Sequence, residues 1–246
     1  MVSTISRGIH RIGDEIVNVY LIEDGGEVTI VDAGVPAYWN LLPDSLAQIG
    51  HSLGDVRAIV LTHGHSDHIG FAERGRRQRN WPIAVHELDA ALARGEAPNP
   101  AKGMGRTRLR PLLGFLLWSA RRGALRQMHI GAVVTYGDGA TLDVPGAPRV
   151  IHVPGHTPGS AALHLADRCT LIVGDALATY AVTTGEHGPQ VAPFTADAAE
   201  AVASLERLES LDAQDVLPGH GPTWRNGIGA AVERVRRSAA GAVGRG

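Results

Sequence analysis

The sequence predicts an α/β protein in which two packed sheets carry helices on their outer faces. Segments with strand character and segments with helical character occur in both halves of the chain. Residues 56–61 form a continuous apolar run, which is typical of a strand buried on both faces. Residues 15–22 instead alternate apolar and polar side chains, as expected of a strand with one face on a core.

The region before residue 97 contains four predicted strands joined by turns and helices. The turn Asp24-Gly25-Gly26 predicts an antiparallel hairpin between the first two strands. Gly50 is a typical residue at which to end the first helix. The predicted elements are, in order, strands at 15–22 and 28–31, a helix at 38–49, a strand at 56–61, a helix at 69–78, a strand at 82–85 and a helix at 87–94.

After residue 140 the chain returns to short strands before its last helices. Thr195 is the predicted N-cap of a helix that ends near residue 211, with Val202, Leu205 and Leu208 on its inner stripe. Cys169 is predicted to lie within a strand as a packed apolar thiol. The predicted elements are strands at 141–144, 149–153, 161–165, 170–173 and 216–217, and helices at 195–211 and 228–239.

Composition indicates one folded domain that spans residues 1–246. The chain is 44% hydrophobic and 20% charged, which is ordinary for a globular enzyme and excludes a disordered or fibrous protein. Its single cysteine excludes a disulfide framework and a thiolate zinc cluster. Residues 1–16 lack the apolar run of a secretory signal, and no run of about 18 apolar residues is present. We therefore expect a cytoplasmic protein.

A basic segment, residues 97–137, contains no aspartate or glutamate. The segment contains seven cations and therefore carries a charge of +7. Because the whole chain has a net charge of −2, the rest of the chain carries −9. A balanced total with one basic block favours a local role for that block over general nucleic-acid binding. The cations are Lys102, Arg106, Arg108, Arg110, Arg121, Arg122 and Arg126.

A cluster of metal-ligand residues follows the buried strand at 56–61. Three histidines and an aspartate occur within six residues, His63-Gly64-His65-Ser66-Asp67-His68. His63 and His65 can face one ion, whereas Asp67 and His68 can reach a second. Imidazole nitrogen and carboxylate oxygen are the ligands that zinc prefers when no thiolate is available. The motif therefore predicts a metal site.

Three later loops repeat one pattern, in which a strand leads into a glycine-containing turn with one ligand-type side chain. The loop at 153–160 presents His156, the loop at 173–176 presents Asp175, and the loop at 217–222 presents His220. Glycine and proline fix such turns, so these side chains are expected to project from strand ends. We expect them to join the histidine-rich motif.

Together these segments resemble the metallo-β-lactamase fold superfamily of metal-dependent hydrolases. The resemblance implies a four-layer αββα sandwich with a helical basic and apolar insertion at 97–137. It also implies that Asp32 is a buried acceptor that orders the metal loops. The implied ligands are His63, His65 and His156 for one metal, Asp67, His68 and His220 for the other, and Asp175 between the two. The matching segments are 18–22, 31–34, 62–68, 155–160, 174–175 and 219–220.

Two divalent ions, zinc first and manganese or iron as alternatives, are the implied cofactors. Ions about 3.5–4 Å apart lower the pKa of a bridging water and generate a hydroxide nucleophile. Asp67 is the predicted catalytic residue that orients this hydroxide or accepts its proton. The attacked atom would be a carbonyl carbon or a phosphorus.

The sequence around Asp175 narrows the predicted substrate. Gly174-Asp175-Ala176 resembles the glyoxalase II, lactonase and phosphodiesterase members, whereas true β-lactamases lack this bridging carboxylate. We therefore predict a hydrolase of a small ester, lactone or thioester. The alternatives are an iron-dependent persulfide dioxygenase with one metal, a phosphodiesterase or β-lactamase of the same superfamily, and a member without enzymatic activity.

The centre of the basic segment, residues 111–118, is apolar nearly all round a helix. Pro111 is typical of a helix start and Gly123 of a helix end. Such a helix could pack on the domain, cover the metal cleft, form a homodimer contact, or anchor residues 106–126 at a membrane surface. The expected partner is a small-molecule substrate with an apolar and an anionic part, and no nucleic acid. The predicted substrate-binding residues are Phe115, Trp118, Tyr180, His187 and Trp224.

Overall fold

The computed structural model describes residues 2–101 and 103–243, so Lys102 of the basic segment lies outside the described residues. The strands are β1 (Val2–Ser6), β2 (Ile9–Gly13), β3 (Asn18–Asp24), β4 (Glu27–Val31), β5 (Val56–Val60), β6 (Ile83–His86), β7 (Val134–Tyr136), β8 (Arg149–His152), β9 (Ala161–Leu165), β10 (Thr170–Gly174), β11 (Ala178–Ala181), β12 (Glu186–Gln190) and β13 (Asp215–Pro218). The α-helices are α1 (Leu42–Gln48), α2 (Ala72–Arg79), α3 (Ala90–Ala93), α4 (Leu109–Arg122), α5 (Ala198–Ser204), α6 (Glu206–Glu209) and α7 (Ile228–Val243).

The first sheet contains seven strands in chain order from β1 to β7. Strands β1 to β4 pair antiparallel, and β4, β5, β6 and β7 then run parallel to one another. The carboxyl ends of parallel strands meet at one edge of a sheet, where loops collect binding groups. Asp32 follows β4 and the histidine-rich loop follows β5, so both lie at this edge.

The second sheet contains four strands in the order β13-β10-β9-β8. Its central strand β10 is parallel to β13 and antiparallel to β9. Asp175 follows β10, and His220 lies two residues beyond the end of β13. The parallel pair therefore places these two residues at one edge. A separate hairpin, β11 with β12, follows the Asp175 loop.

Alternation of side chains along the strands produces four layers. Val19 and Leu21 of β3 pack toward α1 and α2, whereas Tyr20 and Ile22 point toward the second sheet. Ile172 of β10 points into the same layer between the sheets as Tyr20. The residues on either side of Ile172 in the strand pack toward α5, α6 and α7. Each sheet is thus buried on both faces, and the predicted αββα sandwich is confirmed.

Several strands in the structure were not predicted from the sequence, and one predicted strand is absent. The sheet begins with β1 and β2, which are each five residues long and were not predicted. Strand β7 lies inside the predicted insertion and pairs with β6, so the sheet resumes at Val134. The strand predicted at 141–144 is wrong, because the structure has only an isolated bridge between Thr141 and Arg149 there.

Two local predictions in the second half are also wrong. The N-cap of α5 is Asp197, whose carboxylate accepts hydrogen bonds from the amides of Ala199 and Glu200. Thr195 instead turns its hydroxyl toward His156. Cys169 is exposed in the turn before β10 and adopts a positive φ of 45°, so it is not a packed thiol. None of the helices in the described part of the chain combines the length and apolarity that crossing a membrane requires.

Candidate metal centre

The histidine-rich loop places three imidazoles against one another directly after β5. The ring centroids of His63 and His65 are 4.9 Å apart, and those of His63 and His68 are 4.1 Å apart. All three rings are buried, and the side chain of Asp67 is 23% exposed. Asp67 is therefore the predicted ligand of the motif that opens toward solvent.

Asp32 holds this loop from the end of β4. Its carboxylate accepts hydrogen bonds from the amide of Thr62 at 2.7 Å and from the hydroxyl of Thr62 at 2.9 Å. Its Oδ2 lies 2.9 Å from Nδ1 of His68, which leaves Nε2 of that ring free to bind a ligand. Asp32 adopts a positive φ of 61°, an uncommon backbone conformation that aspartate tolerates better than most residues. The predicted ordering role of Asp32 agrees with these contacts.

The second sheet contributes three side chains to the same place. Nε2 of His156 lies 2.9 Å from Nδ1 of His65, and Oδ2 of Asp175 lies 3.3 Å from that Nε2. Nε2 of His220 lies 3.1 Å from Oδ2 of Asp175 and 3.5 Å from Oδ2 of Asp67. The fold thus brings all seven predicted ligands into one cluster, which we call the ligand cluster: His63, His65, Asp67, His68, His156, Asp175 and His220.

Three overlapping groups within the ligand cluster have ligand atoms within 4.8 Å of one another. One group is the set implied for the first metal and another is the set implied for the second. The third contains His63, His68 and Asp175, and so connects them. The groups are His63, His65 and His156; Asp67, His68 and His220; and His63, His68 and Asp175.

The cluster fits a bound cation because it contains buried polar atoms with no hydrogen-bond partner. Nε2 of His63, Nε2 of His68 and Oδ1 of Asp175 are fully buried, and none of them forms a hydrogen bond. An unpaired buried polar atom is costly in free energy unless a ligand satisfies it. Each atom is of a type that coordinates divalent metals once it carries no proton. The residues present therefore fit a metal.

Hydrogen bonds outside the cluster orient its imidazoles. Oγ1 of Thr195 lies 3.0 Å from Nδ1 of His156, and Oδ1 of Asn99 lies 3.1 Å from Nε2 of His65. The carbonyl of Ile16 accepts a hydrogen bond from Nδ1 of His220. In each pair the remaining ring nitrogen points into the cluster, as expected of metal-binding histidines.

The histidines of the ligand cluster differ in the direction in which their pKa is shifted. Burial lowers the pKa of His63 well below its usual value and lowers the pKa of His156 to about 3. These rings are therefore neutral, as metal coordination requires. Burial also opposes charge on His68, but the carboxylates of Asp175 and Asp32 outweigh it and raise the pKa of His68 to about 10. The same negative potential favours a metal cation.

The aspartates of the cluster stay ionised. Burial disfavours the charged form of Asp175, yet His220 and His68 lower its pKa well below the usual range. His68 and His220 likewise lower the pKa of Asp67 against the effect of burial. Both carboxylates can therefore coordinate a cation.

Two glycines allow the loops to approach so closely. A Cβ at Gly219 would overlap Oδ1 of Asp175 and Cε1 of His68. A Cβ at Gly174, which adopts a φ of 50°, would overlap the side chain of Thr62. Side chains at these positions would push the two sheets' loops apart.

Asp89 is a buried residue that sequence reasoning missed. One of its oxygens accepts hydrogen bonds at 2.7 Å from the amide of Gly64 and from the hydroxyl of Thr157. The other accepts at 2.7 Å from the amide of Gly159. The carboxylate therefore ties the His63 loop of the first sheet to the His156 loop of the second. Its position shortly after a predicted strand could have indicated a role at the metal loops. Asp89 was instead assigned to the helix predicted at 87–94.

Helix α4 places Phe115 and Trp118 on its inner face. The indole nitrogen of Trp118 donates to Asp14 at 2.6 Å, and the ring of Phe115 lies 6.4 Å from that of Phe194. Phe194 precedes Thr195, which contacts His156, and Asp14 lies two residues before Ile16, which contacts His220. The helix thus spans loops that reach both halves of the ligand cluster. A substrate-binding role for Phe115 and Trp118 stays a prediction.

The other predicted substrate residues lie at different distances from the cluster. Tyr180 of β11 pairs with His187 of β12, and their rings are 4.9 Å apart. The amide of Tyr180 lies 3.3 Å from the carbonyl of His220, so this hairpin adjoins a ligand loop. Trp224 instead packs in the outer layer beyond the second sheet, where its indole donates to the carbonyl of Gly227. The structure does not bring Trp224 to the cluster.

Known proteins are similar in sequence to this chain over most of its length. The profile of the metallo-beta-lactamase superfamily matches residues 12–220. The probable metallo-hydrolase YflN of Bacillus subtilis is 31% identical over 229 residues, which cover 88% of this chain and 84% of that protein. The acyl-coenzyme A thioesterase MBLAC2 of Bos taurus is 28% identical over 222 residues, covering 84% of this chain and 74% of the thioesterase.

Solved structures share the fold. The metallo-beta-lactamase family protein TTHA1429 from Thermus thermophilus superposes with a TM-score of 0.70 and 26% identity, covering 97% of this chain and 81% of that chain. TTHA1623, solved in a di-iron-bound form, gives a TM-score of 0.61 and 27% identity, covering 89% and 95%. The chain therefore belongs to the metallo-β-lactamase superfamily, and it is an enzyme of the metallo-hydrolase class.

Proposed function

We propose that the protein is a dinuclear metal hydrolase that cleaves a small ester, lactone or thioester with an apolar acyl part. The position of Asp175 carries this proposal. Its carboxylate lies within 3.3 Å of Nε2 of both His156 and His220, one from each predicted ligand set. A carboxylate shared between two sets offsets the repulsion between two cations, so it supports a site for two metals.

The donor set supports zinc as the metal, with two ions per chain. Five imidazoles and two carboxylates without a thiolate suit zinc, manganese or iron. The di-iron form of TTHA1623 makes iron the strongest alternative. When bound, such ions lower the pKa of water and polarise a carbonyl group.

The chain's own residues supply the remaining chemistry. Asp67 is ionised and partly exposed, so it would orient the attacking water and accept its proton. The inner face of α4 offers Phe115 and Trp118 as an apolar wall for the acyl part. The thioesterase relative MBLAC2 supports a thioester or related carbonyl substrate over a phosphodiester.

Metal analysis and a substrate panel test this proposal. Protein purified without added metal should contain two zinc or manganese ions per chain, and it should hydrolyse carbonyl substrates. The panel comprises lactones, p-nitrophenyl esters, acyl thioesters, bis-p-nitrophenyl phosphate and β-lactams. One iron per chain, or activity confined to the phosphodiester, would contradict the proposal. In Asp175→Asn we expect the metal content to fall below two ions per chain.

A further inference from the structure

Helix α4 carries an apolar face that no part of the described chain covers. Leu109, Leu113, Leu116 and Leu117 are 72%, 55%, 42% and 53% exposed. Their spacing of four, seven and eight residues places them on one side of the helix. We call these four residues the leucine face. Trp118 lies on the opposite side and is buried.

This face is a concentrated patch and not a scatter of single residues. Nine large hydrophobic residues are exposed in the described chain, and six of them lie between residues 104 and 125. Met104 and Leu125 flank the leucine face at either end of α4. A contiguous apolar patch of this kind marks an interaction surface.

Unpaired arginines border the leucine face. In the described chain, Arg106, Arg110, Arg121 and Arg126 are exposed and form no ion pair, unlike Arg108 and Arg122, which pair with Glu186 and Asp14. No acidic residue occurs between residues 97 and 137. The surface therefore combines apolar area with uncompensated positive charge.

We propose that this surface docks onto an anionic lipid membrane. Leucines would enter the boundary between headgroups and acyl chains, while the long arginine side chains reach the lipid phosphates. A helix of 14 residues is too short to cross a bilayer, so it lies in the plane of the interface. Arginines near an anionic surface add electrostatic attraction that increases with their number.

The charge pattern disfavours a second copy of the chain as the partner. Arginines lie at both ends of α4, so parallel and antiparallel pairing of two copies would both bring cations together. An anionic surface instead neutralises both ends. Since the opposite face of α4 spans the loops at the ligand cluster, docking would hold the predicted cleft at the membrane, where acyl substrates accumulate.

Sedimentation with lipid vesicles tests the proposal. The full-length protein should bind equimolar phosphatidylglycerol–phosphatidylcholine vesicles, bind pure phosphatidylcholine vesicles weakly, and dissociate as sodium chloride is raised. Leu113→Glu with Leu117→Glu should weaken binding by about tenfold or more, because both leucines leave the lipid. Arg110→Gln with Arg121→Gln leaves the packing intact and should weaken binding by about 30-fold, because two cations near the surface are lost.

Matched variants elsewhere serve as controls. Leu88→Glu alters a leucine that is 55% exposed outside α4, and Arg7→Gln with Arg79→Gln removes two exposed, unpaired arginines. These should bind vesicles like the wild type. The proposal is overturned if the wild type does not bind anionic vesicles. It is also overturned if Arg110→Gln with Arg121→Gln binds them as well as Arg7→Gln with Arg79→Gln does. A dimer in analytical ultracentrifugation that Leu113→Glu with Leu117→Glu abolishes, without vesicle binding, would show a contact between copies instead. Hydrolysis of a water-soluble substrate should be unchanged in these variants, so this test is independent of the proposed reaction.

Discussion

Two buried carboxylates outside the predicted ligand set hold the metal loops in place. Asp32 connects the end of β4 to Thr62 and His68 within the first sheet. Asp89 connects Gly64 of that sheet to the His156 loop of the second. Such supporting groups fix which nitrogen of a histidine faces the metal and where its ring lies.

Replacing His63 with alanine should remove metal and activity together. His63 is completely buried, and its Nε2 has no partner other than the predicted metal. Metal content by mass spectrometry and hydrolysis rates would be measured on the same preparation. His129→Ala, at an exposed histidine outside the cluster, should change neither. An inactive His63→Ala protein with full metal content would show that its predicted ligand role is wrong.

Replacing Asp89 with asparagine should loosen the metal centre without removing a ligand. Asparagine offers one acceptor oxygen where three donors now converge, so the two ligand loops lose part of their connection. Metal affinity should fall by about 10–100-fold, as for other supporting residues of metal sites. Competition with a chelator measures the affinity, and Asp89→Glu should recover part of it. Unchanged affinity in Asp89→Asn would contradict this role.

Helix α4 has one covered face and one open face. Its inner face packs Trp118 against Tyr38 and Asp14, and its outer face carries the exposed leucines. Residues 111–118 are apolar nearly all round this helix, so periodicity alone could not distinguish the covered side from the open one. The contacts of Trp118 with Tyr38 and Asp14, which are distant in the chain, identify the covered side.

Shortening Phe115 and Trp118 to alanine should raise KM for long-chain substrates by about tenfold, because an apolar wall is lost. Short-chain substrates should be nearly unaffected. Leu113→Ala, on the opposite face of the same helix, is the control and should leave both KM values unchanged. If the double variant only lowers the melting temperature, the inner face serves packing and not substrate binding.

Short elements were the least predictable from sequence. Strand β7 is three residues long and becomes a strand because β6 offers it a parallel partner. The hairpin of β11 and β12 contains Gly188 and Pro189, which disfavour strands by local propensity. In these segments, pairing with a distant strand outweighs local preference.

The fold collects its buried metal-ligand side chains at one edge of the sandwich. The two sheets contribute ligand loops from the ends of β5, β8, β10 and β13. The layer between the sheets is apolar around Tyr20, Val60 and Ile172, whereas the buried carboxylates and imidazoles of the ligand cluster lie where these loops meet. Stability of this edge should therefore depend on the bound metal.

Removal of metal should lower the melting temperature of the whole protein. A ligand that binds only the folded state at 100 times its Kd stabilises it by about 2.7 kcal/mol. For a protein of this size that corresponds to roughly 5–10 °C. Differential scanning calorimetry with and without a chelator measures the change, and zinc should restore the original value. An unchanged melting temperature in metal-free protein would show that the cluster is not a structural metal site.

The class of protein, the ligand-type side chains and the order of the main strands could all be predicted from the sequence. These features are local, because a histidine-rich motif or an alternating strand can be identified within a few residues. The tertiary structure alone decided how seven side chains from four loops converge, that Asp89 connects two of those loops, and that Trp224 packs in an outer layer. Those outcomes depend on contacts between residues far apart in the chain, such as Asn18 and Pro218, which are 200 positions apart. No local pattern specifies such contacts, since they form only when both sheets pack.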